Sequence, residues 1–297
     1  MGTTRLRVLL TGATGFIGSA VDRALTADVR RLRSDLTDLA ALRGVCEGID
    51  AVVHAASYVG SDPHRCEQVN HLGTQNLLTE AARSGVERVL YVSTAAVYGN
   101  GPHSRLPEEA LTRAPVSPAS ASRAAAEDEV LAYGGTVVRP HLVYGHGDKW
   151  VVPTLTALLA VLPGWIDGGG ARISMIGVHE LARLIAALTA TPPPPRTVYH
   201  ANHPEPVMVR ALGESLGRTL GIPTPRSSCP RDRLADIALP PGLRLRHLHM
   251  IAVDHWYASE RIWAATGCHP HKGVLDDLES ARVWYPQLAA GHDQESP

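Results

Sequence analysis

Short runs of aliphatic and β-branched residues alternate with amphipathic stretches through the first half of the chain. Runs this short, bounded by turn residues, predict buried strands over residues 5–11, 29–33, 51–54, 89–93 and 136–139. Between them, apolar positions recur at helical spacing over 15–26, 37–46, 70–84 and 120–133, with Gly85 and the pair Gly134-Gly135 as stops. Alternating strands and helices make a parallel sheet, because a parallel connection must cross back over the sheet before the next strand begins. The expected class is therefore α/β, a Rossmann-type doubly wound parallel sheet. After Lys149 the alternation weakens. Residues 178–190 read as a helix cut off by four prolines at 192–195, 197–201 as a late strand rejoining the sheet, and 210–220 and 276–284 as further helices. This predicts a core over 1–149 with 173–204 returning to it, and a smaller interleaved C-terminal region formed by 150–172 and 205–297.

The sharpest motif lies between the first strand and the first helix: Thr11-Gly12-Ala13-Thr14-Gly15-Phe16-Ile17-Gly18. Gly12 permits a tight turn, Gly15 lets backbone approach a pyrophosphate, and Gly18 lets helix and strand pack closely. The helix start adds free N–H groups and the positive end of its dipole. Gly12, Thr14, Gly15, Phe16, Ile17 and Gly18 are thus candidate contacts to a dinucleotide.

Composition changes this picture little. With 297 residues and a net charge of −1, the chain can bury a sizeable core and gives no electrostatic reason to expect nucleic acid or an anionic membrane as partner. Polar residues interrupt every apolar stretch before it reaches membrane-spanning length, and the first strand begins too early to leave room for a signal peptide. Four well-separated cysteines, Cys46, Cys66, Cys229 and Cys268, read as reduced thiols. A cytoplasmic protein is expected. The pairs His200/His203, His247/His249 and His269/His271 have no carboxylate or cysteine positioned with them, so no metal site is expected. The oligomeric state stays open.

Seven blocks, in order, resemble the extended and atypical short-chain dehydrogenases/reductases, the epimerase/dehydratase-like group. They are the glycine motif, Asp35-Leu36-Thr37-Asp38, Val53-His54-Ala55-Ala56-Ser57, Asn70-x-x-Gly73-Thr74, Ser93-Thr94-Ala95-Ala96-Val97-Tyr98-Gly99, Arg139-Pro140-His141-Leu142-Val143-Tyr144-Gly145, and Val178-His179-Glu180-Leu181-Ala182. The resemblance implies that Asp35 and Leu36 meet adenine, and that His54, Ala55, Ala56 and Ser57 line the cofactor. It also implies that Ser93, Arg123, Pro140, His141, Leu142 and Val143 lie on the nicotinamide side, with Thr94 at the catalytic Ser/Thr position. One departure is plain: residues 27–34 alone fill the space where that family has a strand, a helix and a strand. One strand and its helix are deleted or merged, so the adenosine end of the site should be more open. Arg30, Arg31 and Arg33 crowd the place where cofactor choice is read, which favours NADP(H) over NAD(H), since arginine pairs with a 2′-phosphate.

The family's acid is a tyrosine four residues before a lysine. Here those positions fall on Ala119 and Arg123. The chain has two lysines, Lys149 and Lys272; four residues before them stand Gly145 and Cys268, so the pair occurs nowhere. Arg123 keeps a permanent charge and can donate hydrogen bonds, but it cannot shuttle a proton. Thr94 remains as a hydrogen-bond donor to a carbonyl oxygen. The lost acid could be recovered from another side chain (His54, Tyr58, Tyr98 or His141), from water, or from a phenol hydroxyl beside the substrate's ketone; the last is favoured. Within the family the resemblance is to the tailoring ketoreductases of antibiotic pathways, the angucyclinone type among them. The expectation is an NADPH-dependent reduction of a large aromatic polyketide-like ketone. A non-catalytic NADP-binding sensor is the alternative, and a nucleotide-sugar epimerase or dehydratase fits less well, since Ala95-Ala96 replace acidic residues.

Overall fold

The structure, a computed structural model, describes residues 5–289. The ends of the two expected regions, residues 1–4 and 290–297, lie outside that range. Six strands, β1 (Arg7–Thr11), β2 (Asp28–Arg31), β3 (Ala51–His54), β4 (Arg88–Val92), β5 (Thr136–Arg139) and β6 (Val198–His200), form one sheet in the order β2-β1-β3-β4-β5-β6. All five pairings are parallel. The late strand over 197–201 does rejoin the sheet, as β6 beside β5.

Both faces of the sheet are buried, which is why its strands read as unbroken apolar runs. Val8, Leu10, Val53, Leu90, Val92 and Val138 point to one face, where they pack with the helices Phe16–Ala24 and Val178–Ala190. Their neighbours Leu9, Val52, Val89, Tyr91 and Val137 point to the other, against Gly73–Arg83 and Pro118–Tyr133. Each such side chain contributes roughly 1.5–3 kcal/mol by leaving water. The order of strands reverses between β1 and β3, so a crevice opens there beyond their carboxyl ends.

The expected loss of a strand is visible at the sheet's edge. Among the described residues nothing pairs outside β2, whose Asp28, Arg30 and Arg31 are exposed. Charge along an open edge discourages pairing with another chain.

Three helices differ from expectation. The stretch 70–84 is the end of a longer helical run that starts at Pro63–Cys66, passes through a π-helical turn at Glu67–Leu72 and continues as Gly73–Arg83. Pro63 occupies the first helical position, where no N–H is needed, and Asp62 caps the end by accepting from His64 and Arg65 N–H. The helix over 37–46 shrinks to Leu39–Leu42, because Gly44 and Gly48 take left-handed conformations. The stretch 276–284 is split into Val274–Asp277, the 3-10 turn Leu278–Ser280, and Ala281–Trp284.

One helix, Val151–Val161, went unrecognised within 150–172. It is apolar nearly all round, so no 3.6-residue contrast marks it. It helps build a separate apolar cluster, with Leu155, Leu158, Leu159, Trp165, Ile173, Leu212, Leu216 and Leu248 among its buried members. A small sheet with strand order Val207–Met208, Arg172–Ile173, His255–Tyr257, His103–Leu106 joins this part to the loop after β4.

Candidate functional site

The glycine motif has the geometry its spacing implies. Gly12 takes φ +69°, and a Cβ there would stand 2.6 Å from the Ala56 nitrogen, so only glycine lets the β1 and β3 loops meet. A Cβ on Gly18 would lie 2.0 Å from the Gly12 carbonyl oxygen. A Cβ on Gly15 would meet only that same oxygen, at 3.2 Å, and Gly15 and Thr14 are exposed. The first helix begins at Phe16 with no side-chain cap on its N–H groups. Thus two glycines close the turn, and the third stands exposed before a helix start with one backbone oxygen close by. A cradle of this shape suits the pyrophosphate of a dinucleotide. Phe16 and Ile17 are half-buried against the sheet, and Phe16 also borders Gly147.

The loop after β3 is held from below by His54. Thr74 hands its hydroxyl proton to the Asn70 carbonyl (2.5 Å), so its oxygen accepts from His54 Nε2 (3.0 Å). His54 Nδ1 then accepts from Thr11 Oγ1 (2.6 Å), and Thr11 Oγ1 accepts from the Ala56 N–H (3.1 Å). Burial, helped by the Arg123 charge, pushes the ring's pKa down to about 3. Both nitrogens are committed, so His54 is a strut under Ala55 and Ala56. Asn70, in the π-helical turn, accepts from the Tyr58 N–H and the Ser57 hydroxyl, and donates to Tyr58 O and Ser122 Oγ. This fully bonded hub was not singled out from the sequence beyond its place in the N-x-x-G-T block.

At the adenosine end, Leu36 is buried and its carbonyl accepts from Asn76 Nδ2 (2.9 Å). Asp35 lies exposed beside it, its pKa lowered chiefly by the Thr37 backbone N–H. Arg31, the last residue of β2, pairs with Asp22 of the first helix (2.9 Å). Arg33 is exposed and its guanidinium makes no ion pair or hydrogen bond among the described residues. Arg30 turns away, donating to the carbonyls of Val45 and Glu47.

At the other end, Thr94 caps the turn Ala95–Tyr98. Its Oγ1 accepts from the Ala96 N–H (3.1 Å), which leaves its own proton free to donate. The Ala95 N–H donates to Pro140 O (2.8 Å), so the Thr94 turn and the segment after β5 sit together at the ends of adjacent strands. Leu142 and Val143 are buried in two different apolar clusters and anchor that segment. Among the described residues the Ser93 hydroxyl is buried without a partner. Arg123 extends across from its helix, donating from Nη2 to Val92 O (3.0 Å), while its Nε is buried and unpaired among the described residues. Ala119, one helical turn earlier, offers no proton.

The other side chains weighed as acids are placed as follows. Tyr98 is buried and gives its proton to His200 (2.6 Å). Tyr58 lies under the Arg65 guanidinium, 4.8 Å from ring to cation. His141 stacks on His255 at 5.8 Å, with Nε2 buried and, among the described residues, unpartnered. Burial depresses four imidazoles strongly, His54 and His141 to about 3, His200 and His255 to about 4. These rings stay neutral when folded but take protons near pH 6.5 once unfolded, so between those values the unfolded chain binds more protons. Stability is therefore expected to fall steadily as pH drops from about 6.5 toward about 4. Thermal midpoints measured across that window check this, and a flat profile would contradict it.

Among the described residues no helix is long and apolar enough to cross a membrane. The model of the NAD dependent epimerase/dehydratase family matches residues 8–191. The chain is similar to the 2-alkyl-3-oxoalkanoate reductase of Stenotrophomonas maltophilia, at 27% identity over 94% of this chain and 99% of that protein. It is also similar to the 4-hydroxy-2-methyl-3-oxo-4-farnesyl-3,4-dihydroquinoline-1-oxide ketoreductase of Stigmatella aurantiaca, at 29% identity over 73% of this chain and 74% of that one. Among solved structures, RMD from Pseudomonas aeruginosa, complexed with NADPH, shares the fold with a TM-score of 0.72 and 23% identity, over 96% of this chain and 99% of that chain. The chain belongs to the NAD dependent epimerase/dehydratase family and is an NAD(P)-dependent oxidoreductase of the extended short-chain dehydrogenase/reductase type, with alanine and arginine where that type carries its tyrosine and lysine.

Proposed function

We propose that this chain is an NADPH-dependent ketoreductase whose substrate is a large, mostly apolar aromatic ketone, polyketide-like, with a hydroxyl beside the carbonyl. The observation that carries this reading is the pairing of a free Thr94 donor with Ala119 and Arg123 at the acid positions. The reductases among its relatives support the reaction type.

Gly12, Thr14, Gly15, Phe16, Ile17 and Gly18 would hold the pyrophosphate, and Asp35 and Leu36 the adenine. Arg31 and Arg33 would hold the 2′-phosphate, with Ala55, Ala56, Ser57, Ser93, Arg123 and the 140–143 segment along the nicotinamide half. When bound, the reduced nicotinamide supplies a hydride. The chain's own part is to hold the carbonyl: Thr94 donates one hydrogen bond to its oxygen, while Arg123 contributes fixed charge and no proton. His54 and Tyr98 have their protons committed elsewhere, which supports the substrate's neighbouring hydroxyl as the source. That proton passes to the carbonyl oxygen as charge develops on it.

NADPH consumption followed against polycyclic hydroxyketones, with nucleotide sugars as controls, tests the reading. Oxidation with the ketones alone is expected. Tight NADPH binding without turnover of any ketone would favour a non-catalytic sensor, the reading that loss of both tyrosine and lysine otherwise suits. Thr94→Ala should keep about a tenth of the rate on hydroxyketones, the loss of one hydrogen bond. A fall to the rate without enzyme would refute the substrate-borne proton. Arg33→Ala should weaken NADPH by about tenfold or more while barely changing NADH, because only the former has a phosphate to lose. Equal changes for the two nucleotides would remove Arg33 from cofactor choice.

A further inference from the structure

The turn that carries Thr94 ends on Tyr98, and the hydrogen bonds around that phenol run in a single direction. His200 Nδ1 lies 3.0 Å from the Ala258 carbonyl oxygen, which can only accept, so Nδ1 bears the ring proton. Nε2 is then the acceptor, and the Tyr98 hydroxyl donates to it at 2.6 Å. Tyr98 Oη accepts in turn from Arg139 Nη1 at 2.6 Å. Arg139 also donates through Nε (2.9 Å) and Nη2 to the two oxygens of Glu127. Tyr98, Glu127, Arg139 and His200 are all buried.

Five pieces of the fold meet in this relay: the helix Pro118–Tyr133, β5, the Thr94 turn, β6 and the segment that follows His255–Tyr257. The phenol ring is also stacked on Tyr257 at 5.5 Å. Elsewhere the turn is held by backbone bonds, Ala95 N–H to Pro140 O (2.8 Å) and Ala114 N–H to Val97 O (2.9 Å), by the Thr94 Oγ1 cap on the Ala96 N–H, and by apolar packing of the buried Ala95 and Val97. Gly99 closes it at φ +77°, where a Cβ would stand 2.2 Å from Ala114 O. Tyr98 is thus the side chain of the turn that hydrogen-bonds to β5 and β6, and its hydroxyl has no proton to spare for a substrate.

We infer that Tyr98 is a positioning residue: its hydroxyl, clamped between Arg139 and His200, fixes Thr94 at the end of β4 and ties it to the Ala258 segment of the C-terminal region. This rests on the reading of Thr94 as donor to the ketone. Substrate contacts made by the C-terminal region thereby bear on the placement of the donor.

Tyr98→Phe removes the hydroxyl and keeps the ring against Tyr257. In the full-length protein, with NADPH and 8-hydroxy-1-tetralone as probe, kcat should fall about five- to tenfold, the scale of one hydrogen bond. KM and the NADPH dissociation constant should change by less than about twofold, since nothing that binds either is touched. The double variant Tyr98→Phe/Thr94→Ala should lose no more than Thr94→Ala alone, because both act through one bond. Independently of turnover, the Thr94 methyl resonance in 13C-threonine-labelled protein should shift in Tyr98→Phe. His200→Gln, which breaks the relay on its far side, should reproduce the shift and serves if Tyr98→Phe fails to fold.

An unchanged kcat, losses that multiply in the double variant, or an unmoved Thr94 methyl would overturn the inference. A wild-type protein that reduces no ketone, with the methyl shift still present, would refute the reductase reading and leave the positioning intact.

Discussion

Gly18→Ala is expected to abolish dinucleotide binding and destabilise the fold, whereas Gly15→Ala should weaken binding and change the fold's stability little. The difference follows from what each new methyl meets. At Gly18 it would stand 2.0 Å from the Gly12 carbonyl oxygen and 2.6 Å from its carbon, both backbone atoms with nowhere to go. Either the helix start or the turn must move, at a cost of about 1–3 kcal/mol for overpacking. The phosphate seat is lost with it, an effect on NADPH affinity of at least about 100-fold. At Gly15 the backbone is extended (φ −79°, ψ 172°), and the methyl meets one oxygen at 3.2 Å. That backbone oxygen must give by a few tenths of an ångström, so the effect on folding should be small. What it blocks is close approach by a ligand, so affinity should drop about tenfold or more with the melting temperature held. Calorimetric titration beside thermal unfolding checks both halves. A Gly15→Ala protein that melts early while Gly18→Ala does not would contradict the account.

Glu127→Ala should cost about 3–5 kcal/mol of stability, among the largest effects available by a single change in this chain. Glu127 is fully buried and receives two bonds from Arg139, itself 5% exposed. Removing the carboxylate strands a guanidinium that cannot shed its charge. Exposed pairs such as Arg233–Asp236 should contribute at most about 1 kcal/mol, because water screens them. Urea unfolding of the two single variants, Glu127→Ala and Asp236→Ala, gives the comparison. A loss below about 1 kcal/mol for Glu127→Ala would mean that the buried pair does not hold β5 to its helix.

Much of the sheet could be read from the chain because burial on both faces leaves a local signature. β3 and β5 fall on the runs 51–54 and 136–139 without a shift, and the late strand needed only a short apolar run after the prolines. Two of the glycines were legible from local sterics: Gly12 answers crowding by the loop after β3, and Gly18 by the motif itself. What escaped had no local signal. Val151–Val161 is apolar all round, so periodicity is silent there. The helical start at Pro63 falls before the apolar periodicity over 70–84, so nothing local extends that run back to it. The missing tyrosine and lysine were plain as absences, but the use made of Tyr98 was not. Its partners Arg139 and His200 lie 41 and 102 residues away, and no spacing rule reaches that far.

The reductase and sensor readings share one seat: the exposed Gly15, before the start of the first helix. Isothermal titration of the purified, folded protein with NADPH tests it most directly. Saturable binding that Gly18→Ala removes is the predicted result. If neither NADPH nor NADH associates with the wild-type protein, the cradle holds no dinucleotide, and the reductase and the sensor readings fall together.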